Sequence, residues 1–187
     1  TNLFNKYQKP VFFGEIGIDW QSGSGTYSAD YSGITIHQAL WGGMMSSAGS
    51  ANHWWWDSWI EKSNLWYRMK GASTYATYID VANKDYSPLA STSGITVVGE
   101  DIKVMGYLLE DRIYGYIYNE LWNYWNREPD TVNNVSVTIP FADGVYQLLI
   151  FNTTTGEVVS ETTITVTNNE FVINDLSIQT DYAFIVR

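Results

Sequence analysis

Lys9-Pro10-Val11-Phe12-Phe13-Gly14-Glu15-Ile16-Gly17 runs an apolar segment into one carboxylate held between two glycines. From Val11 to Ile18 there is no polar alternation, the pattern of a strand covered on both faces in a parallel sheet. A buried strand ordinarily enters its loop through neutral or turn-forming residues, so Glu15 is a candidate for chemistry. The loop that follows, Asp19 to Ser32, is rich in Gly, Ser and Tyr. Apolar residues at Ile36, Ala39, Leu40 and Met44 then trace one face of a helix over residues 34–48. Small residues from Ser46 to Ala51 suit a tight helix-to-strand turn, and residues 52–59 read as another strand with its exit loop. Leu65, Met69, Ala72, Tyr75, Ala76 and Ile79 predict a second helix over 65–82. This order of strand, loop, helix, repeated, is the grammar of a wound α/β fold.

After Tyr86-Ser87-Pro88 the grammar changes. Short segments alternate with period two between turn signals: 95–98, 102–109, 113–119, 135–140, 145–152, 158–166, 170–173 and 182–186. Thr153-Thr154-Thr155-Gly156, Asp143-Gly144 and Asn168-Asn169 read as hairpin bends. So many strands in about 100 residues predict an antiparallel β-sandwich. The expected division is 1–87 for the α/β portion and 88–187 for the sandwich.

The net charge of −10 argues against nucleic acid, which needs clustered Lys and Arg. No run is long enough to span a membrane. Cysteine is absent, so no disulfide or thiolate metal site can form. With two His and no Cys there is no zinc constellation, no calcium-loop spacing is recognised, and no cofactor is expected. The unusual quantity is aromatic content, 9 Trp and 14 Tyr beside 10 basic residues. Such rings stack on sugar C–H faces, but they also fill cores with a polar handle. Composition leaves both readings open.

The motifs resemble the C-terminal end of a clan A, family 5-like retaining glycoside hydrolase, a (β/α)₈-barrel enzyme, followed by a β-sandwich domain. Residues 9–17 resemble the seventh barrel strand with its nucleophile. Ala51-Asn52-His53-Trp54-Trp55-Trp56-Asp57 resembles the eighth, and Ile36-His37-Gln38-Ala39-Leu40-Trp41 the seventh helix. The tail from Gly144-Val145-Tyr146 to Asp181-Tyr182-Ala183-Phe184 resembles the sandwich. The resemblance implies α/β plus all-β architecture: a partial barrel of two βα units, then an antiparallel sandwich. In such enzymes two carboxylates about 5–5.5 Å apart cleave the glycosidic bond. It carries the nucleophile role to Glu15 and places the acid/base on a fourth strand that this chain lacks. A lone nucleophile cannot protonate a poor sugar leaving group, so the fragment alone is expected to be inactive.

Thr1 is not an initiator Met and no secretory leader precedes it, so the chain is expected to be processed, excised or truncated. Its parent is expected to be secreted or cell-surface, and bacterial. Two βα units leave strand edges open, which implies cover by the missing N-terminal barrel portion, by a second copy, or by the chain's own sandwich. The partner is carbohydrate. Side chains alternate along a strand, so Trp54 and Trp56 point one way and Trp55 the other. Trp56, nearest the strand exit, is the favoured sugar platform. Asp57 binds a sugar hydroxyl or caps the loop. Trp20, Tyr27 and Tyr31 form a cleft wall or pack the loop. His37 reads as a packing or capping histidine, and His53 as a polar group inside the barrel. The aromatic loop Asn119 to Asn126 fixes the domain interface or offers a sugar platform. Two rival readings remain, a non-catalytic carbohydrate-binding module and a purely structural domain.

Overall fold

The computed structural model describes residues 6, 7, 9, 11, 12, 16–18, 23–46 and 55–187. The C-terminal part is the sandwich that the alternation predicts. Its strands are β1 Ser87–Pro88, β2 Thr96–Val98, β3 Ile102–Leu108, β4 Ile113–Asn119, β5 Val132–Pro140, β6 Gly144–Phe151, β7 Val158–Val166, β8 Glu170–Ile178 and β9 Asp181–Val186. They form a six-stranded sheet in the order β1-β3-β4-β9-β6-β7 and a three-stranded sheet in the order β2-β5-β8. Every pairing is antiparallel.

Apolar side chains from the inner faces meet between the sheets. Ile113, Ile117, Phe184 and Val186 come from one sheet, and Val137 and Phe171 from the other. The six-stranded sheet is apolar on its outer face as well. There Tyr107, Tyr114, Tyr116, Leu149, Phe151 and Ile185 form a second cluster with residues of the helical segment. Both faces of β4 are therefore buried along almost the whole strand.

One of the three expected bends is a hairpin within a sheet. Thr153-Thr154-Thr155-Gly156 joins the paired strands β6 and β7. The Asn152 side-chain oxygen accepts the Thr154 and Thr155 N–H groups, and Gly156 takes the positive φ of 76° that closes it. Asp143-Gly144 and Asn168-Asn169 instead carry the chain from one sheet to the other, since β5 and β8 belong to the three-stranded sheet and β6 and β7 to the six-stranded one. Local turn chemistry marks the reversal but not which strand becomes the hydrogen-bonded neighbour.

The helical segment holds α1 Gly23–Ala29, α2 Ile34–Met44, a π-helical turn Trp56–Glu61, a 3₁₀ turn Trp66–Met69 and α3 Lys70–Ala76. The Asp30 carboxylate starts α2 by accepting the Ile34 and Thr35 N–H groups at 3.0 and 2.8 Å, two donors that a helix start leaves without intrahelical partners. The expected helix over 65–82 is shorter. Its first turn is 3₁₀, and after Ala76 the backbone closes tighter i to i−3 bonds at Thr77, Tyr78 and Ile79.

The expected strand over 52–59 is corrected where it is described. Trp55 adopts a left-handed conformation, φ 60° and ψ 36°, and residues 56–61 form the π-helical turn. Trp55, Trp59 and Ile60 lie at steps of four and one, so a helical turn brings all three to one apolar cluster with Ile36 and Leu65. A strand would have split them between two faces. No parallel strand pair occurs among the described residues, so the two βα units of a partial barrel are not seen there.

Candidate functional site

Glu15, Trp20 and Trp54 lie outside the described residues, as does His53. Of the other expected site residues, the structure brings Trp56, Asp57 and Tyr27 into one region, where α1 packs against the π-helical turn. Trp55 is half-buried and Trp59 fully buried, its indole N–H donating to the Asp30 carbonyl at 2.8 Å. Trp56, between them, is 62% exposed, and Asp57 beside it is also exposed. The alternation of inward Trp55 and outward Trp56 thus persists in a helical turn. Tyr27 is half-buried against the Trp59 cluster, and the Lys62 ammonium stands 4.7 Å from its ring centre. Further exposed rings flank the turn: Trp66, whose indole N–H donates to the Glu61 carboxylate, and Tyr67. A left-handed backbone at a bulky residue such as Trp55 is uncommon and costs on the order of 1–3 kcal/mol, the kind of strain that collects at functional turns.

The second constellation joins the helical segment to the sandwich. His37, on α2, is fully buried with its Nε2 2.6 Å from Asp181 Oδ2. Tyr116 donates its hydroxyl to the same oxygen at 2.7 Å, and Thr153 donates to Oδ1 at 2.7 Å. Because a carboxylate oxygen is the acceptor, the imidazole proton belongs on Nε2, and Nδ1 has no partner among the described residues. The order Thr–Asp–His puts the carboxylate in the middle, with the imidazole on its far side and not beside the hydroxyl. It is therefore a structural clamp and not a nucleophile triad.

Aromatic rings continue the clamp. Trp41 stacks on Tyr116 with centroids 5.2 Å apart, and its N–H donates to the Thr153 carbonyl at 3.2 Å. Tyr75 donates to the Phe184 carbonyl at 2.7 Å. Burial pushes the Tyr75 and Tyr116 phenols well above their ordinary range, the Asp181 charge adding to the effect at Tyr116. Tyr107 is pushed up to about 12, again chiefly by burial.

His37 thus fills the packing role expected of it. Trp122 also fixes the interface, edge-on to His37 at 5.2 Å and accepting at its carbonyl from the Gln38 side chain. Trp125 in the same loop is 78% exposed. The role of Asp181 was not read from the sequence. The signal was available: Asp181 begins a strand whose same-face neighbours, Ala183 and Ile185, are apolar, so its carboxylate had to meet a buried polar partner. No grouping of His, Asp and Glu suited to a metal occurs among the described residues, and none of their helices is long and apolar enough to cross a membrane.

Among solved structures, 99% of this chain pairs with 44% of a GH30 endoxylanase from Clostridium papyrosolvens C71, at 16% identity and a TM-score of 0.48. All of it pairs with 44% of Xyn30A, the glycoside hydrolase family 30 subfamily 8 xylanase from Clostridium acetobutylicum, at 12% identity and a TM-score of 0.44. The chain thus spans less than half the length of either structure. Both of those structures are glycoside hydrolases. No protein-family model and no curated protein matches the sequence.

Proposed function

We propose that the chain is the C-terminal part of a retaining glycoside hydrolase that cleaves a polysaccharide or oligosaccharide. Glu15 is its nucleophile, and Trp56 a sugar platform. Trp20, Tyr27, Trp54 and Asp57 supply further substrate contacts, and the acid/base carboxylate comes from outside this chain. The observation that carries the reading is Trp56, an indole left 62% exposed between two inward-packed tryptophans, 41 positions after the glycine-flanked Glu15. An exposed ring held by a strained, packed turn is preorganised to stack on a sugar, which lowers the ordering cost of binding.

In the retaining reaction the Glu15 carboxylate attacks the anomeric carbon while the acid protonates the departing oxygen, and water then releases the sugar from the glycosyl ester. The parent enzyme in this reading is secreted or held at the cell surface. The test is hydrolysis of an aryl glycoside and of polymers, xylan first, by this chain joined to the preceding barrel strands. Glu15→Gln is expected to abolish turnover by at least about 10³-fold, the scale set by losing a catalytic group. Azide rescue of Glu15→Ala, giving an inverted glycosyl azide, would identify the nucleophile. Unchanged turnover in Glu15→Gln sinks the assignment.

A second reading, a carbohydrate-binding module, is favoured by Trp125. Its loop is braced by the Asn123 side chain, which accepts the Trp125 and Asn126 N–H groups at 2.9 and 3.0 Å. Glycan binding that disappears in Trp125→Ala while Glu15→Gln has no effect on any activity would select it.

A further inference from the structure

Where the helical segment meets the turns of the sandwich there is a cavity of about 610 Å³, within the size range of small-molecule sites. Its walls come from the loop before α2, from Arg68, from the 122–131 loop, and from the turns joining β6 to β7 and β8 to β9. Much of the lining is neutral and hydrogen-bonding, including Thr131, Asn152, Thr154, Ser177, Gln179 and Thr180. The formal charges balance, Arg68 and Arg127 facing Glu128 and Asp181. Several are already engaged. Arg68 donates to the Ser32 carbonyl and Arg127 to the Ala29 carbonyl, both at 2.8 Å, and Asp181 accepts three bonds. An anion entering here would meet two carboxylates, whereas a ligand made of hydroxyl groups meets donors and acceptors alike.

Tyr31 gives the cavity its aromatic element. The Arg127 guanidinium lies 4.4 Å from the ring centre, yet Tyr31 remains 59% exposed. A cation anchored on a backbone carbonyl therefore holds one side of the ring and leaves the remainder open to a C–H face. Trp122, almost fully buried, contributes a second ring to the lining.

We infer that this cavity is a carbohydrate-binding site built by the junction of helical segment and sandwich, taking a neutral saccharide of one or two rings on Tyr31. The inference rests on the hydrolase reading only for the choice of a sugar as ligand, and it assigns Tyr31 to a site formed largely by sandwich residues.

Isothermal titration of the 187-residue chain with neutral disaccharides, xylobiose and cellobiose, tests it. Binding of at least one is expected, little changed between low and high salt. Tyr31→Ala weakens it roughly tenfold, as for a central ring contact, while Tyr31→Phe retains it. Thr154→Val, which removes a lining hydroxyl at nearly constant volume, weakens it severalfold. Matching melting curves for the variants exclude unfolding as the cause. Binding that survives in Glu15→Gln separates this site from the proposed catalytic one, so either can fail alone. The inference is overturned if neither sugar binds at millimolar concentration. Unchanged affinity in Tyr31→Ala, or loss of binding in Glu15→Gln, overturns it as well.

Discussion

In the sandwich, β4 and β9 are buried on both faces along most of their length, whereas the helical segment leaves Tyr31, Trp56, Trp66 and Tyr67 open to solvent. The sandwich has a core of its own between two sheets. Among its described residues the helical segment has a small cluster around Ile36, Trp59, Ile60 and Leu65, and it buries Trp41, Met45, Ala72 and Tyr75 against the outer face of the sheet. Neither region is independent in the usual sense. The sheet needs a cover for its outer tyrosines, and the helices need a floor.

The harshest break of this comparison is removal of residues 1–86. It uncovers Tyr107, Tyr114 and Tyr116 together with Leu149, Phe151 and Ile185, the last three each worth about 1.5–3 kcal/mol when fully buried. That sum rivals the roughly 5–15 kcal/mol that stabilises an ordinary domain. The remaining chain is expected to lose cooperative unfolding in urea and to bind a hydrophobic dye. A single sharp transition at wild-type midpoint would show that the sandwich stands without its cover.

Alkaline pH attacks the same junction. The Tyr75, Tyr107 and Tyr116 phenols are all raised by burial, so above pH 10 the unfolded chain releases protons that the folded chain still holds. Their contribution is complete below pH 10 and is lost as pH rises, at a limiting slope of about 1.4 kcal/mol per pH unit for each proton that only the folded chain holds. The loss from Tyr107 levels off near pH 12. Urea midpoints measured from pH 8 to 11.5 should be flat and then fall steeply. In Tyr107→Phe the alkaline slope should shrink.

Asp181→Ala removes the acceptor shared by His37, Tyr116 and Thr153. Leaving buried donors unpaired costs about 1–3 kcal/mol each before relaxation, and a net loss of about 3 kcal/mol is expected by chemical denaturation. Asp181→Asn, which keeps an acceptor oxygen, should lose less. Equal losses in the two variants would mean that shape and not hydrogen bonding sets the role of Asp181.

The same contrast explains what could be read from the sequence. Alternation in Ile113-Tyr114-Gly115-Tyr116-Ile117 and in Tyr182-Ala183-Phe184-Ile185-Val186 located the strands because a pleated sheet sends successive side chains to opposite faces. The same letters could not say that the tyrosine face is covered by helices, since tyrosine suits either a wet or a dry surface. The strand expected over 52–59 follows from the strand-loop-helix order and from the resemblance of residues 51–57 to an eighth barrel strand. Residues 56–61 form a helical turn instead because Trp55, Trp59 and Ile60 share a tertiary cluster, and packing overrides propensity. The sequence reads His37 as a packing or capping histidine, but its partner lies 144 positions away, beyond any local pattern. Glu15 is legible only as a candidate, since it lies outside the described residues, and Trp56 only as one of three successive rings, which the structure leaves exposed. The Tyr31 cavity is not legible, because five separate turns and loops supply its walls.

Gly71→Ala probes the closest approach between the regions. A Cβ there would stand 1.7 Å from the Thr153 carbonyl oxygen, and one at Gly156 would stand 2.4 Å from Thr74 Cβ. Alanine ordinarily stabilises a helix over glycine by about 1 kcal/mol, but here α3 must back away from the β6–β7 turn. Overpacking of this kind costs about 1–3 kcal/mol. A net loss of about 2 kcal/mol is expected by urea denaturation, with near-ultraviolet dichroism changed because Tyr75 shifts with the helix against the Trp41 ring. A stabilised Gly71→Ala protein would show that the two regions are held less tightly than the clamp around Asp181 implies.

The smallest effect is expected where the same junction reaches solvent. Lys84 donates to Asp80 at 2.6 Å, four positions apart, and Arg112 pairs with Asp111 at 2.6 Å. The Lys84 hydrogen bond, with its charge, holds the Asp80 carboxyl below the usual carboxylate range, so any contribution is present at neutral pH and is lost as pH falls through the lowered value. Asp80 is exposed, however, and water screens such pairs until they contribute little. Lys84→Ala should therefore leave the melting temperature unchanged within error at moderate salt. A clear drop, removed by added salt, would extend the ordered junction from the buried Asp181 cluster out to the surface.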